Sequence, residues 1–129
     1  METFFPMTLA SIATALVINV SLLGAAPQDS AREAYARSVE TGRPLVFLFG
    51  ATWCPACRVM KDKTLPQVEQ NGAMQGVEFA YIDIDERPTL AKRYLRGNSV
   101  PQLVRFDRDG ERWKARYLIG AQSPERIAH

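Results

Sequence analysis

The sequence predicts an α/β fold, a mixed central sheet of about four strands flanked by helices on both faces. Three observations lead to it. The apolar run Leu45-Val46-Phe47-Leu48-Phe49-Gly50 reads as a strand buried on both faces, which demands cover on each side. Helical and strand-like patterns alternate around it, as in a parallel βαβ unit. Two strand patterns near the end of the chain are joined by Asp109-Gly110, a hairpin signal that makes the last pair antiparallel.

The elements follow in order. Ser30 and Glu33 have capping-box spacing, and Ala31, Ala34, Tyr35, Ser38 and Val39 share one helical face before Gly42 and Pro44. A first helix is therefore expected over about residues 30–41. The buried strand at 45–50 comes next, and after Cys57 the helix formers Arg58, Val59, Met60 and Lys61 place Val59 and Met60 toward a core. Leu65-Pro66 interrupts that helical pattern, and Pro66 is positioned to start a second short helical piece ending at Asn71-Gly72. Val77 to Ile84 alternates as a strand. Asp85 through Arg96 reads as a helix, with Pro88 near its start, an apolar stripe of Leu90, Ala91, Tyr94 and Leu95, and Gly97 past its end. Gln102 to Asp107 and Glu111 to Ile119 form the hairpin strands, and Ser123-Pro124-Glu125-Arg126 opens a short helix that looks truncated at His129.

The 129 residues suffice for one domain and hold no internal repeat or low-complexity stretch. Residues 7–26 carry no charge and are mostly apolar, long enough for an export signal or a bilayer span. Gly24-Ala25-Ala26 suits cleavage after Ala26, whereas Pro27 after that cut and an n-region with Glu2 but no Lys or Arg depart from the usual signal. Residues 1–26 are thus expected to be a signal peptide or an N-terminal membrane anchor, and residues 27–129 a domain outside the cytoplasm. All 16 Lys and Arg lie in that domain, interspersed with acids as in Arg32-Glu33 and Arg108-Asp109. That is a solvated mixed surface, so no nucleic-acid partner is expected.

The chemistry sits in Trp53-Cys54-Pro55-Ala56-Cys57, which holds both cysteines of the chain. With Cys54 as helix N-cap, Pro55 falls at the first helical position, where its missing N–H does no harm. The free N–H groups of Ala56 and Cys57 then point at the Cys54 sulfur. These donors and the positive helix end favour thiolate, so the Cys54 pKa is expected below the free value of about 8.5. Cys54 is the expected nucleophile, and Cys57, one turn into the helix, resolves the mixed disulfide. A single-chain zinc site lacks ligands, since zinc wants four and the lone histidine is His129. Covalent haem needs His directly after the second cysteine, where Arg58 stands. A static disulfide that only braces the fold stays open.

This order of elements, with Trp53-Cys54-Pro55-Ala56-Cys57 after the central strand, Val100-Pro101 before the third strand and Gly120 after the hairpin, resembles the thioredoxin superfamily over about residues 30–129. Thr64, Gln67-Val68 and Asp83-Ile84-Asp85 look most like exported modules related to the C-terminal domain of DsbD-type thiol:disulfide interchange proteins. The resemblance implies a thioredoxin fold and a thiol:disulfide oxidoreductase working in the reducing direction through Cys54 and Cys57. No metal or organic cofactor is implied beyond that redox-active dithiol/disulfide pair. Pro101 would be a cis-proline facing the cysteines, with the Val100 backbone as an edge for an extended substrate. Trp53 would wall the substrate groove, which Pro55 and Ala56 also border. Leu48 departs from the family, standing where many thioredoxins bury an aspartate, and so leaves proton removal from Cys57 to water or another group. Ala56 replaces the second proline of general thioredoxins. The implied partners are protein or peptide thiols and disulfides and a membrane electron-donor relay, with membrane contact through residues 7–26 if they are retained. A monomer is expected. The alternatives are a disulfide-donating oxidase and a non-catalytic thioredoxin-like peptide-binding module.

Overall fold

A computed structural model describes residues 30–128. The candidate leader at residues 7–26 lies outside the described residues, as does His129. Among the described residues no helix is long and apolar enough to cross a membrane.

Helix α1, Ser30–Thr41, leads into β1, Leu45–Gly50; α2, Pro55–Val59, passes through a π-helical turn at Met60–Thr64 into α3, Leu65–Gln70. Then come β2, Glu78–Asp83; α4, Pro88–Tyr94; β3, Gln102–Asp109; β4, Arg112–Ile119; and α5, Pro124–Ala128. The sheet order is β2-β1-β3-β4, with β1 and β2 parallel and β3 antiparallel to both β1 and β4. This is the mixed four-stranded sheet that the alternating patterns imply.

Side chains alternate across β1, so each face receives its own core. Phe47 and Phe49 pack with Ala31 and Ala34 of α1 and with Leu90 and Tyr94 of α4. Val46 and Leu48 pack on the other face with Met60, Leu65, Val68 and Ile127. Glu78, nearly buried on β2, accepts from Arg37 Nε at 2.7 Å and so ties the edge strand to α1.

Four local expectations are corrected. Leu65-Pro66 does not interrupt the helical path; the π-helical turn just before it, closed by Leu65 N–H to the Met60 carbonyl, widens the ladder where the Pro66 ring would otherwise strike the carbonyl four residues back. The fourth helix starts at Pro88 because the Asp83 carboxylate accepts from Asp85 N at 2.8 Å and Glu86 N at 3.3 Å, holding a turn there. Asp109 pairs with Arg112, so the hairpin loop is Gly110-Glu111, with a positive φ of 64° at Gly110 as a tight two-residue turn requires. On the helix faces, Tyr35, Val39 and Val59 point outward rather than into a core, because the layer under α1 is filled by Ala31, Ala34 and Ser38 and that under α2 by Cys57 and Met60.

Candidate active site: a buried disulfide at a helix start

The site lies beyond the carboxyl ends of β1 and β2, where β1 turns into α2. Cys54 adopts an extended backbone conformation, φ −96° and ψ 110°, and caps α2 with Pro55 as the first helical residue. Of the two N–H groups expected to face the Cys54 sulfur, that of Cys57 donates to Cys54 Sγ at 3.2 Å. Because α2, the π turn and α3 follow one another without a break, the positive end of a long helical run points at Cys54. Cys54 and Cys57 form a disulfide with a Cα–Cα separation of 5.2 Å. The two cysteines differ in burial, since Cys57 is fully buried and Cys54 retains 6% exposure.

Two further loops converge here. The Val100–Pro101 peptide bond is cis, and the Val100 carbonyl oxygen lies 3.7 Å from Cys54 Sγ. Pro101 is buried and its carbonyl accepts from Gly120 N–H at 2.9 Å, tying this loop to the chain leaving β4. Ala56, Ile84 and Val100 pack against the cluster of Ala51, Cys54 and Cys57. Trp53 is 62% exposed, which rules out a core role, and its Nε1 donates to Asp85 Oδ2 at 2.9 Å. An open groove of about 580 Å³ runs beside it, floored by Ile84, Ala91 and Leu95 and edged by Lys92 and Asn98. All seven residues singled out from sequence therefore sit on one end of the sheet.

Sequence reasoning missed two supporting residues. Asp85 orients Trp53; the sequence marked it only within Asp83-Ile84-Asp85 at the end of a strand, without a role. Gln102 is fully buried; its Oε1 accepts from Arg96 N–H at 2.8 Å, while its Nε2 donates to the carbonyls of Arg96 at 3.1 Å and Ser99 at 3.3 Å. This side chain staples the loop that carries Val100 and Pro101. It also ends α4 early, because the Arg96 N–H is taken by Gln102 instead of by a helical carbonyl.

Beneath the site Leu48 is fully buried among Met60, Leu65, Val68 and Leu103, an apolar setting with no charge of its own to offer Cys57. Its neighbour across the β1–β2 ladder is Tyr81, whose hydroxyl occupies the space a side chain at Gly50 would need and whose ring carries Lys61 Nζ at 4.7 Å. Burial first, then the carboxylates of Asp83 and Asp62, push the Tyr81 phenol above its ordinary pKa. Among the described residues no cluster of three or more His, Cys, Asp or Glu side chains is arranged to hold a metal.

Comparison with known proteins agrees with this geometry. A thioredoxin-like domain family model matches residues 31–129. The chain is 26% identical over 113 residues to thiol:disulfide interchange protein DsbD 2 of Pseudomonas aeruginosa, covering 75% of this chain and 19% of that protein. It is 29% identical over 86 residues to thioredoxin H2 of Arabidopsis thaliana, covering 67% of this chain and 59% of that one. The chain thus spans less than two thirds of the length of either relative. Among solved structures, oxidized mitochondrial thioredoxin 3 from Saccharomyces cerevisiae superposes with a TM-score of 0.57 at 29% identity, covering 74% of this chain and 83% of that one. With a mixed four-stranded sheet, a disulfide capping the helix after the central strand and a family match over nearly the whole described region, the chain belongs to the thioredoxin-like domain family.

Proposed function

We propose that this protein is an exported thiol:disulfide oxidoreductase that reduces disulfides in protein substrates. One observation carries the reading: the sulfur of Cys54, the less buried of the two cysteines, receives the Cys57 N–H at the start of a helix, while Cys57 is fully buried. Donor and helix end favour the thiolate at Cys54, which makes it the nucleophile. In the reduced protein Cys54 Sγ attacks one sulfur of a substrate disulfide, forming a mixed disulfide and releasing the other substrate sulfur, which takes up a proton. Cys57, having lost its proton, then attacks Cys54 Sγ, closing the Cys54–Cys57 bond and freeing the second substrate thiol. Two electrons pass from the dithiol to the substrate.

The Val100 carbonyl beside Cys54 offers main-chain pairing to an extended substrate, with Ala56 packed against the cysteines and Trp53 lining the adjoining groove. The name of the Pseudomonas aeruginosa relative, a thiol:disulfide interchange protein, supports the exchange chemistry. The uncharged segment at residues 7–26 supports export, where a membrane electron relay would return the disulfide to the dithiol. With Leu48 buried at the position of the usual aspartate, the proton of Cys57 leaves to water or to a group other than a carboxylate at that position.

The test is the equilibrium reduction potential of the full-length chain, read by thiol trapping in defined thiol/disulfide buffers. A value near about −270 mV supports a reductase, one near about −120 mV an oxidase, and no reversible couple a binding module. Cys57→Ser should accumulate substrate on Cys54, and the absence of any trapped species would overturn the proposed order of attack.

A further inference from the structure

We propose that a groove between α1 and α4, on the face of the sheet opposite α2, binds a small organic acid with an elongated apolar body. Two cavities of about 350 and 160 Å³ share Tyr35, Phe47 and Tyr94 and so form one continuous trough. Together they reach the size of small-molecule sites. The trough shares no lining residue with the groove beside Trp53. This proposal therefore stands independently of the redox reading.

The two ends of the trough differ in chemistry. At one end Phe106 and Trp113 join the shared aromatics. The floor is stiff: Phe47, Tyr94 and Phe106 meet edge to face with centroids 6.0, 5.9 and 5.5 Å apart. Tyr35 and Trp113 nevertheless stay 55% and 38% exposed, so apolar surface remains in water for a ligand to cover. At the other end Arg32, Arg87 and Arg93 line the wall, and Arg93 is placed over the Tyr94 ring at 5.6 Å, where the aromatic floor meets the cationic end. No Asp or Glu lines either cavity among the described residues. An aromatic floor takes an acyl or aryl body, and the Arg93 guanidinium where that floor ends takes a carboxylate. A second copy of this chain docking symmetrically would set the same arginines against one another, and a flat bilayer would not enter a trough.

The probe is octanoate, titrated into the full-length Trp53→Phe chain so that Trp113 is the sole tryptophan reporter. We expect a saturable change in Trp113 emission. Octan-1-ol, which has the same body without the charge, should bind at least about tenfold more weakly, and Arg93→Ala should weaken octanoate by about tenfold, the worth of one charge-assisted hydrogen bond. Tyr35→Ala, at an exposed helix position, should weaken both ligands. No saturable change, equal affinity for the alcohol and the acid, or an unchanged response in Arg93→Ala overturns the proposal. So does saturable binding of a short acidic-aromatic peptide, or self-association abolished by Tyr35→Ala, where octanoate has no effect.

Discussion

Trp53 Nε1 and Asp85 Oδ2, 32 residues apart in sequence, are joined by a 2.9 Å hydrogen bond across the mouth of the active site. Because the indole is 62% exposed, this bond and not burial holds the ring. Asp85 is itself held by the turn in which Asp83 accepts its N–H. The carboxylate therefore positions the Trp53 ring.

Asp85→Ala should leave the fold intact and free the ring. Losing an exposed charge-assisted bond of about 1 kcal/mol corresponds to a drop of about fivefold in kcat/KM toward a disulfide-bonded protein. Urea unfolding should shift by less than about 0.5 kcal/mol, and Trp53 emission in a Trp113→Phe background should change. An unchanged rate would remove Asp85 from the site.

Gln102→Leu keeps roughly the volume of the buried side chain but leaves the Arg96 N–H and the Arg96 and Ser99 carbonyls without their partner. We expect a loss of about 1–3 kcal/mol in urea unfolding. Amide exchange should speed up over residues 96–101, and kcat/KM should fall with it because Val100 rides on that loop.

Gly50 leaves no room for a side chain: a Cβ there would strike the Tyr81 hydroxyl and come within 3.0 Å of its ring. Gly50→Ala should cost about 1–3 kcal/mol of stability through overpacking. Adding Tyr81→Phe removes the hydroxyl and should restore part of that loss. A double-mutant cycle with no coupling would show that the clash is relieved elsewhere.

Tyr81 also predicts an alkaline limit. Its phenol ionises above the ordinary value of about 10 in the folded protein, so at high pH the unfolded chain gives up that proton first. The contribution is fully present below the unfolded pKa and is lost as pH rises through the folded one. Stability should therefore decline above about pH 10, and Tyr81→Phe should remove that part of the decline in urea midpoints measured from pH 8 to 11.

What the sequence by itself determined was whatever depends on neighbours along the chain. The apolar run at 45–50 reads as a strand covered on both faces, and Pro55 after Cys54 suits the first position of a helix with the sulfur at its cap; both appear as read. Helix α1 and the two hairpin strands were legible for the same reason, as was the grouping of Cys54, Cys57 and Val100-Pro101 once the family pattern was seen. Tertiary structure alone decided the rest. The π turn before Pro66 answers a steric conflict that can be resolved either by breaking the helix or by widening it, and only packing of Met60, Leu65 and Val68 on one core selects the second. Tyr35 and Val39 lie on the apolar stripe of α1, yet which flank of a stripe is buried depends on the angle at which the helix meets the sheet. Asp85 and Gln102 have roles only because loops distant in sequence meet at the end of the sheet, and no local pattern encodes which polar side chain will find its partner there.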